Sequence, residues 1–201
     1  EDVSEILDTE ELLPRLGASA DERIDVREYL KCRMFDIVTG DWDRHPGQWN
    51  WVKRAGHAEW IPYVKDTDMA FSNYDGLIPS LARRSLPSTV SFDPGYRNVL
   101  GYSWNSREID RRFLGGTERA AYEQAAADLQ RELTDADNDQ AVHRVPPEYY
   151  GVGGAELAAN LKARRDRLAD SARRLYELLA DKVEVYATDG ADVAEIDRRE
   201  R

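Results

Sequence analysis

The period of the apolar residues changes several times along the chain. Over residues 22–39, Ile24, Tyr29, Leu30, Met34, Phe35, Ile37 and Val38 fall largely at helical spacings and Gly40 stops the run, so a helix ending near Thr39 is predicted. Residues 40–47 are polar and carry Gly40, Pro46 and Gly47, which break helix and strand alike and predict a loop. Residues 48–53 and 59–65 are rich in Trp, Tyr, Val and Ile, and a turn-like stretch joins them, which predicts a hairpin. The second strand delivers Asp66-Thr67-Asp68 as it leaves the sheet. Upstream, the chain opens on Glu1 in a polar, helix-like segment and reads as a piece of a longer protein.

From residue 72 to 105 the Pro and Gly residues leave no sustained period, and a long irregular segment is expected. Helices follow. One starts with Ser106 as its cap and stops at Gly115-Gly116; a second is capped by Thr117 and lines up Tyr122, Ala126, Leu129 and Leu133. A third starts at Thr134 and must end at Pro146-Pro147. Gly151-Val152-Gly153-Gly154 reads as a flexible joint, since no Lys-Ser or Lys-Thr follows it to make a phosphate loop. The fourth helix spans residues 155–182 with Leu157, Leu161, Leu168, Ala172, Leu175 and Leu179 on one face, while Arg164, Arg165, Arg167, Arg173 and Arg174 lie mainly elsewhere. The expected fold is α+β and predominantly helical, with one small hairpin. Residues 1–185 form the domain, and residues 186–201 are a polar, loosely held tail.

An apolar fraction of 41% suffices for a core, and the net charge of −11 disfavours a duplex nucleic-acid partner. The single cysteine, Cys32, excludes an internal disulfide. No run approaches the roughly 18 apolar residues of a membrane helix.

Phosphoryl transfer needs a carboxylate to orient the nucleophile and oxygen ligands to hold a divalent cation against the phosphates. Asp43-Arg44-His45 stands in the loop, Gln48 comes five residues after Asp43, and Asp66 arrives at the far end of the hairpin. Because a hairpin returns its end near its start, Asp43, Gln48 and Asp66 are expected to converge. Asp68 and Asp41 are candidates to widen the site, although each also suits a cap or a surface hydrogen bond.

The order helix, Gly40-Asp41-Trp42-Asp43-Arg44-His45-Pro46-Gly47-Gln48-Trp49, hairpin, Val64-Lys65-Asp66-Thr67-Asp68-Met69-Ala70-Phe71 resembles the catalytic segment of phosphatidylinositol kinases, HipA-type kinases and, in outline, the Golgi kinases of secreted proteins. The resemblance implies a kinase C-lobe-like helical bundle. It makes Asp43 the catalytic-base counterpart, with Arg44 and His45 bracing the loop. Gln48 and Asp66 become the ligands of Mg or Mn, with Asp68 beside them, and through that metal they hold ATP. Gln48 departs from the Asn of those enzymes but keeps an amide oxygen. No glycine-rich nucleotide loop or strand lysine precedes the first helix, so ATP needs an N-lobe from outside this segment. Together with Tyr74-Asp75-Gly76-Leu77-Ile78-Pro79, the motifs are also similar to a kinase-like segment of large bacterial surface or outer-membrane proteins, which implies a longer parent chain at the cell envelope. The expected activity is ATP- and Mg-dependent transfer to a hydroxyl acceptor, protein or small molecule. Two alternatives stay open: a pseudokinase or docking module of such a protein, and a metal-assisted hydrolase using Asp43, Asp66 and Asp68.

Overall fold

The computed structural model describes residues 2–74, 76–82, 85–96, 98–193 and 195. Its elements are β1 (Val3–Asp8), α1 (Thr9–Ala18), β2 (Arg23–Ile24), α2 (Val26–Thr39), β3 (Trp49–Arg54), β4 (Glu59–Val64), α3 (Leu77–Ala82), α4 (Val99–Tyr102), α5 (Arg107–Leu114), α6 (Arg119–Glu132), α7 (Asp135–Val142), α8 (Pro147–Asp166) and α9 (Leu168–Ala180). The fold is α+β and mainly helical, as expected. The hairpin is not isolated: β3 and β4 form the centre of a four-stranded mixed sheet in the order β1-β3-β4-β2. β1 pairs antiparallel with β3, and β2 runs parallel to β4. The polar opening segment is therefore strand before it is helix. Six residues are too few to show a strand period, and the pairing is supplied by a partner more than 40 residues away. Asp8 then starts α1 through a capping box with Glu11.

The inner face of the sheet is built from Trp49, Trp51 and Trp60, all fully buried. Tyr29 of α2 packs 5.0 Å from Trp49 and 5.9 Å from Trp51, and Phe113 of α5 meets Trp51 edge-on at 5.2 Å. Burying an indole removes about 150–250 Å² from water, a gross gain of about 4–6 kcal/mol each. Two of their indole N–H groups find acceptors, one at the start of α1 and one in the turn after it. Trp51 Nε1 donates to Thr9 Oγ1 at 3.0 Å and Trp60 Nε1 to Glu22 Oε2 at 2.6 Å. The tryptophans anchor β3 and β4 to α1, α2 and α5, and this fixes where the hairpin begins and ends.

α2 starts at the Asp25 cap, not at residue 22, because Arg23 and Ile24 join the sheet. It is the central helix, flanked by β4, α6, α8 and α9. Three further expectations are corrected. α3 and α4 occupy part of the segment expected to be irregular, while Asp75, Arg83 and Arg84 of that segment lie outside the described residues. Gly151, Gly153 and Gly154 lie inside α8 and form no joint. Pro147 at the first turn pre-sets the helical φ, and packing of α8 on α7 outweighs a glycine cost of about 1 kcal/mol per residue. The helix expected over 155–182 is two helices meeting at Arg167, whose N–H returns to the Arg164 and Arg165 carbonyls. No Gly or Pro marks this break, and the leucine stripe runs straight through it.

Arg164 is the largest departure from the expected surface. It is 0% exposed, and its donors go mainly to main-chain carbonyls. Its Nε donates to the Val38 carbonyl at 2.7 Å and its Nη1 to the carbonyls of Asp93 and Gly95 at 2.9 and 2.8 Å, while Nη2 reaches the Ile37 carbonyl. Phe92, Tyr96 and Tyr102 surround the guanidinium at 4.6–5.0 Å. Carbonyls left over at the end of α2 are capped by this side chain, and segment 92–96 is tied to α2 by the same group.

Candidate functional site

α2 ends at Gly40 with φ 73°, a left-handed cap that sends the chain sharply into the loop. A Cβ there would stand 2.9 Å from a ring carbon of Phe92, so space as well as backbone conformation selects glycine. The loop then runs through Asp41, Trp42, Asp43, Arg44 and His45 into a single 3-10 turn, Pro46–Gln48, that leads directly into β3. His45 caps this turn: its Nδ1 accepts the Gly47 N–H at 3.1 Å.

Under the loop lies a buried chain of alternating charges. Asp110 of α5 accepts from Arg33 Nε at 2.9 Å, and Arg33 Nη1 donates to Asp36 at 2.6 Å. Arg44 in turn donates to Asp36 through Nε at 3.0 Å and Nη2 at 2.9 Å, and the same Nη2 meets Asp41 at 2.6 Å. Tyr29 and Ser106 add hydrogen bonds to Asp110 at 2.7 and 2.6 Å. All five charged residues are at most 2% exposed. Three carboxylates against two guanidiniums leave one negative charge unbalanced. Asp41 takes the consequence: burial pushes its carboxyl up to about 6, with Asp36 adding to the rise and Arg44 opposing it.

Arg44 carries this buried chain to the sheet. Its Nη1 donates to the Asp66 carbonyl at 2.7 Å and approaches the Gln48 carbonyl at 3.5 Å. The Gln48 carbonyl also accepts the Lys65 N–H at 3.0 Å, closing the hairpin at its open end. The main-chain carbonyls of Gln48 and Asp66, 18 residues apart in sequence, are thus brought to one guanidinium, and Asp43 is its chain neighbour. Arg44 and His45 each make hydrogen bonds that tie the loop to itself or to its neighbours. The Asp43 main-chain N–H donates to Asp41 Oδ1 at 3.3 Å, and its Oδ1 accepts from Asn105 Nδ2 at 2.8 Å. Asp66 Oδ1 accepts the Asp68 N–H at 3.1 Å in an Asx turn, and both acidic residues are exposed. Past them the chain returns to α2, where the Phe71 N–H donates to the Thr39 carbonyl at 2.9 Å with Phe71 at φ 61°.

The donor set of Gln48, Asp66 and Asp68 is all oxygen, which fits a hard divalent cation. Among the described residues no group of three or more His, Cys, Asp and Glu side chains stands close enough to share an ion. Asp41 serves the loop from beneath it. Trp42 packs edge-on to Tyr74 at 6.0 Å, and Trp49, Trp51 and Trp60 are core, so the aromatics around the loop form no base-stacking platform.

Sequence reasoning missed Arg33, Asp36, Asp110 and Asn105. A signal existed for the first two: α2 places Arg33 and Asp36 among Leu30, Met34 and Ile37, so charged residues interrupt its apolar face, while Phe35 is 43% exposed. Asn105 has no such signal, because nothing local marks a residue that reaches 62 positions back. No family model, curated protein or solved structure matches this chain significantly. Among the described residues no helix is long and apolar enough to cross a membrane.

Proposed function

We propose that this chain is the helical lobe of an atypical kinase-like phosphotransferase that moves phosphate from ATP to a hydroxyl acceptor with Mg or Mn. The observation that carries the reading is the Arg44 guanidinium, which gathers the Gln48 and Asp66 carbonyls beside Asp43. Asp43 would accept the hydrogen bond of the acceptor hydroxyl and orient its oxygen for attack. Gln48 and Asp66, with Asp68, would hold the cation, which when bound neutralises phosphate charge. Arg44 is committed to carboxylates and carbonyls on every side, and its part is to keep the loop and the hairpin end in register. ATP would sit between this lobe and a second one, supplied by a longer parent chain.

One observation favours a second reading: Gln48 offers its amide on a longer stem than the Asn of the kinases it resembles. A lobe that fails to bind the cation would serve as a pseudokinase or docking module of a larger envelope protein. Mn-induced broadening of backbone amides in NMR spectra of this chain separates the two. The phosphotransferase reading expects broadening centred on residues 43, 48 and 66 that Asp66→Ala removes. In the full-length protein the same substitution should abolish ATP-dependent phosphate transfer. Broadening centred elsewhere, or unchanged transfer by Asp66→Ala, refutes the site.

A further inference from the structure

We propose that Asn105 is a positioning residue that aims the Asp43 carboxylate, an inference that rests on reading Asp43 as the group that orients the acceptor hydroxyl. Nothing in the motif around Asp43 supplies this function. An aspartate on a loop turns freely about its last side-chain torsion, which is broad and roughly two-fold, and a base that turns misses its proton. Among the described residues the one side chain that donates to the Asp43 carboxylate is Asn105, through Nδ2 to Oδ1 at 2.8 Å. With Oδ1 engaged, Oδ2 is the oxygen left to face an acceptor.

The chemistry of the donor suits the task. A lysine or arginine at this distance would place a full positive charge on the carboxylate and weaken it as a proton acceptor; an amide fixes direction with a dipole alone.

Asn105 is itself held on both sides. Trp104 before it gives its carbonyl to Arg107 Nη1, and the Arg107 guanidinium lies 4.3 Å from the Trp104 ring centre. Ser106 after it accepts from Arg33 Nη2 at 2.6 Å and donates to Asp110 Oδ2 at 2.6 Å. Arg33 reaches Arg44 through Asp36, and Arg44 directly follows Asp43. The Asp43 backbone and the Asp43 carboxylate are therefore both referred to one buried ionic frame, the first through Arg44 and the second through Ser106 and Asn105. The two arms come from segments about 60 residues apart in sequence, which is how a loop residue acquires the precision of an element-borne one.

The contact is tested in this chain by NMR: the Asn105 side-chain amide resonance should move in Asp43→Ala, and an unmoved resonance overturns the proposal. The role is tested in the full-length protein by MgATP hydrolysis, followed as ADP release, in Asp43→Ala, Asn105→Ala and Asn105→Gln. Asn105→Ala should lower kcat about 10–100-fold, the scale of a misplaced catalytic group, with KM for ATP and Mn affinity unchanged within about twofold. Asn105→Gln keeps the donor and should recover part of that loss. Wild-type kcat in Asn105→Ala, beside an inactive Asp43→Ala, overturns the positioning role and leaves the site reading standing. Wild-type kcat in Asp43→Ala overturns both. Equal losses in Asn105→Ala and Asn105→Gln, accompanied by a fall in melting temperature or in Mn affinity, assign Asn105 to the fold alone and also overturn it.

Discussion

Neutralising Asp41 should remove a specific piece of the protein's pH dependence. Asp41 ends the buried chain that starts at Asp110, and Arg44 Nη2 is shared between Asp36 and Asp41. Burial raises its carboxyl from the ordinary 3.8 to about 6. The folded protein therefore takes up a proton near pH 6 that the unfolded chain accepts only near pH 4. Stability from this group is fully present below the unfolded value and is lost as pH rises through the folded one. A displacement of about 2 units at 1.36 kcal/mol per unit caps the effect at about 3 kcal/mol. Between pH 5 and 7.5 the two titration curves give on the order of 1 kcal/mol, with the more acidic solution favoured. At a urea m-value of about 2–3 kcal/mol/M this is a midpoint shift of roughly half a molar. Glu22 works in the opposite direction but in a separate window: Lys53, Trp60 and Arg15 hold its carboxyl down to about 2 from 4.5 against its partial burial, so its contribution is constant above pH 5. Urea unfolding of the wild type and Asp41→Asn at pH 5, 6 and 7.5 isolates the Asp41 contribution, since all other groups cancel in the difference. The midpoint difference between the two proteins should change by about 0.5 M across the series. Parallel curves would mean that Asp41 is ionised throughout and that the frame tolerates its extra charge.

Three further expectations follow from single side chains. Arg164→Met should cost about 3–5 kcal/mol in chemical unfolding, because it leaves buried carbonyls at the end of α2 and in segment 93–95 without donors at about 1–3 kcal/mol each, and Arg164→Lys should not rescue it, since one ammonium cannot span both segments. Gly40→Ala should cost about 1–2 kcal/mol or more by the same assay, from the left-handed backbone and the 2.9 Å approach to Phe92. Glu22→Gln should lower stability at pH 7 and reduce the loss that the wild type shows as pH falls from 4.5 toward 2, measured by thermal unfolding across that range.

The parts of the fold legible in the sequence are those that local rules decide. Gly40 ends α2 because only its backbone accepts the cap, Thr134 starts α7 by a capping box with Asp137, and alternation around the tryptophans marks β3 and β4. The approach of the Gln48 and Asp66 main chains was readable for the same reason, since hairpin closure is a local event. What escaped is decided at long range. β1 becomes a strand only through β3, and the break at Arg167 follows from packing on α2 and α6, not from a breaker residue.

The buried charges explain why the site was half visible. Apolar periodicity assigns every arginine to the surface, and that assignment fails where an arginine's several donors are worth more inside than outside. Arg44 bonds two carboxylates and two carbonyls; Arg164 bonds carbonyls of two segments and stacks among three rings. Each does what a small apolar side chain cannot: Arg164 satisfies carbonyls at the end of α2 and Arg44 those of Gln48 and Asp66, and each fixes a loop against α2. Loop 41–48 is then braced from below by charge and from the side by Asn105, and a motif that shows only Asp43, Gln48 and Asp66 leaves out the buried frame beneath the loop. A charged residue interrupting the apolar face of a helix that runs into a polar loop is the sequence signature of such a frame, and here Arg33 and Asp36, one turn apart in α2, are that signature.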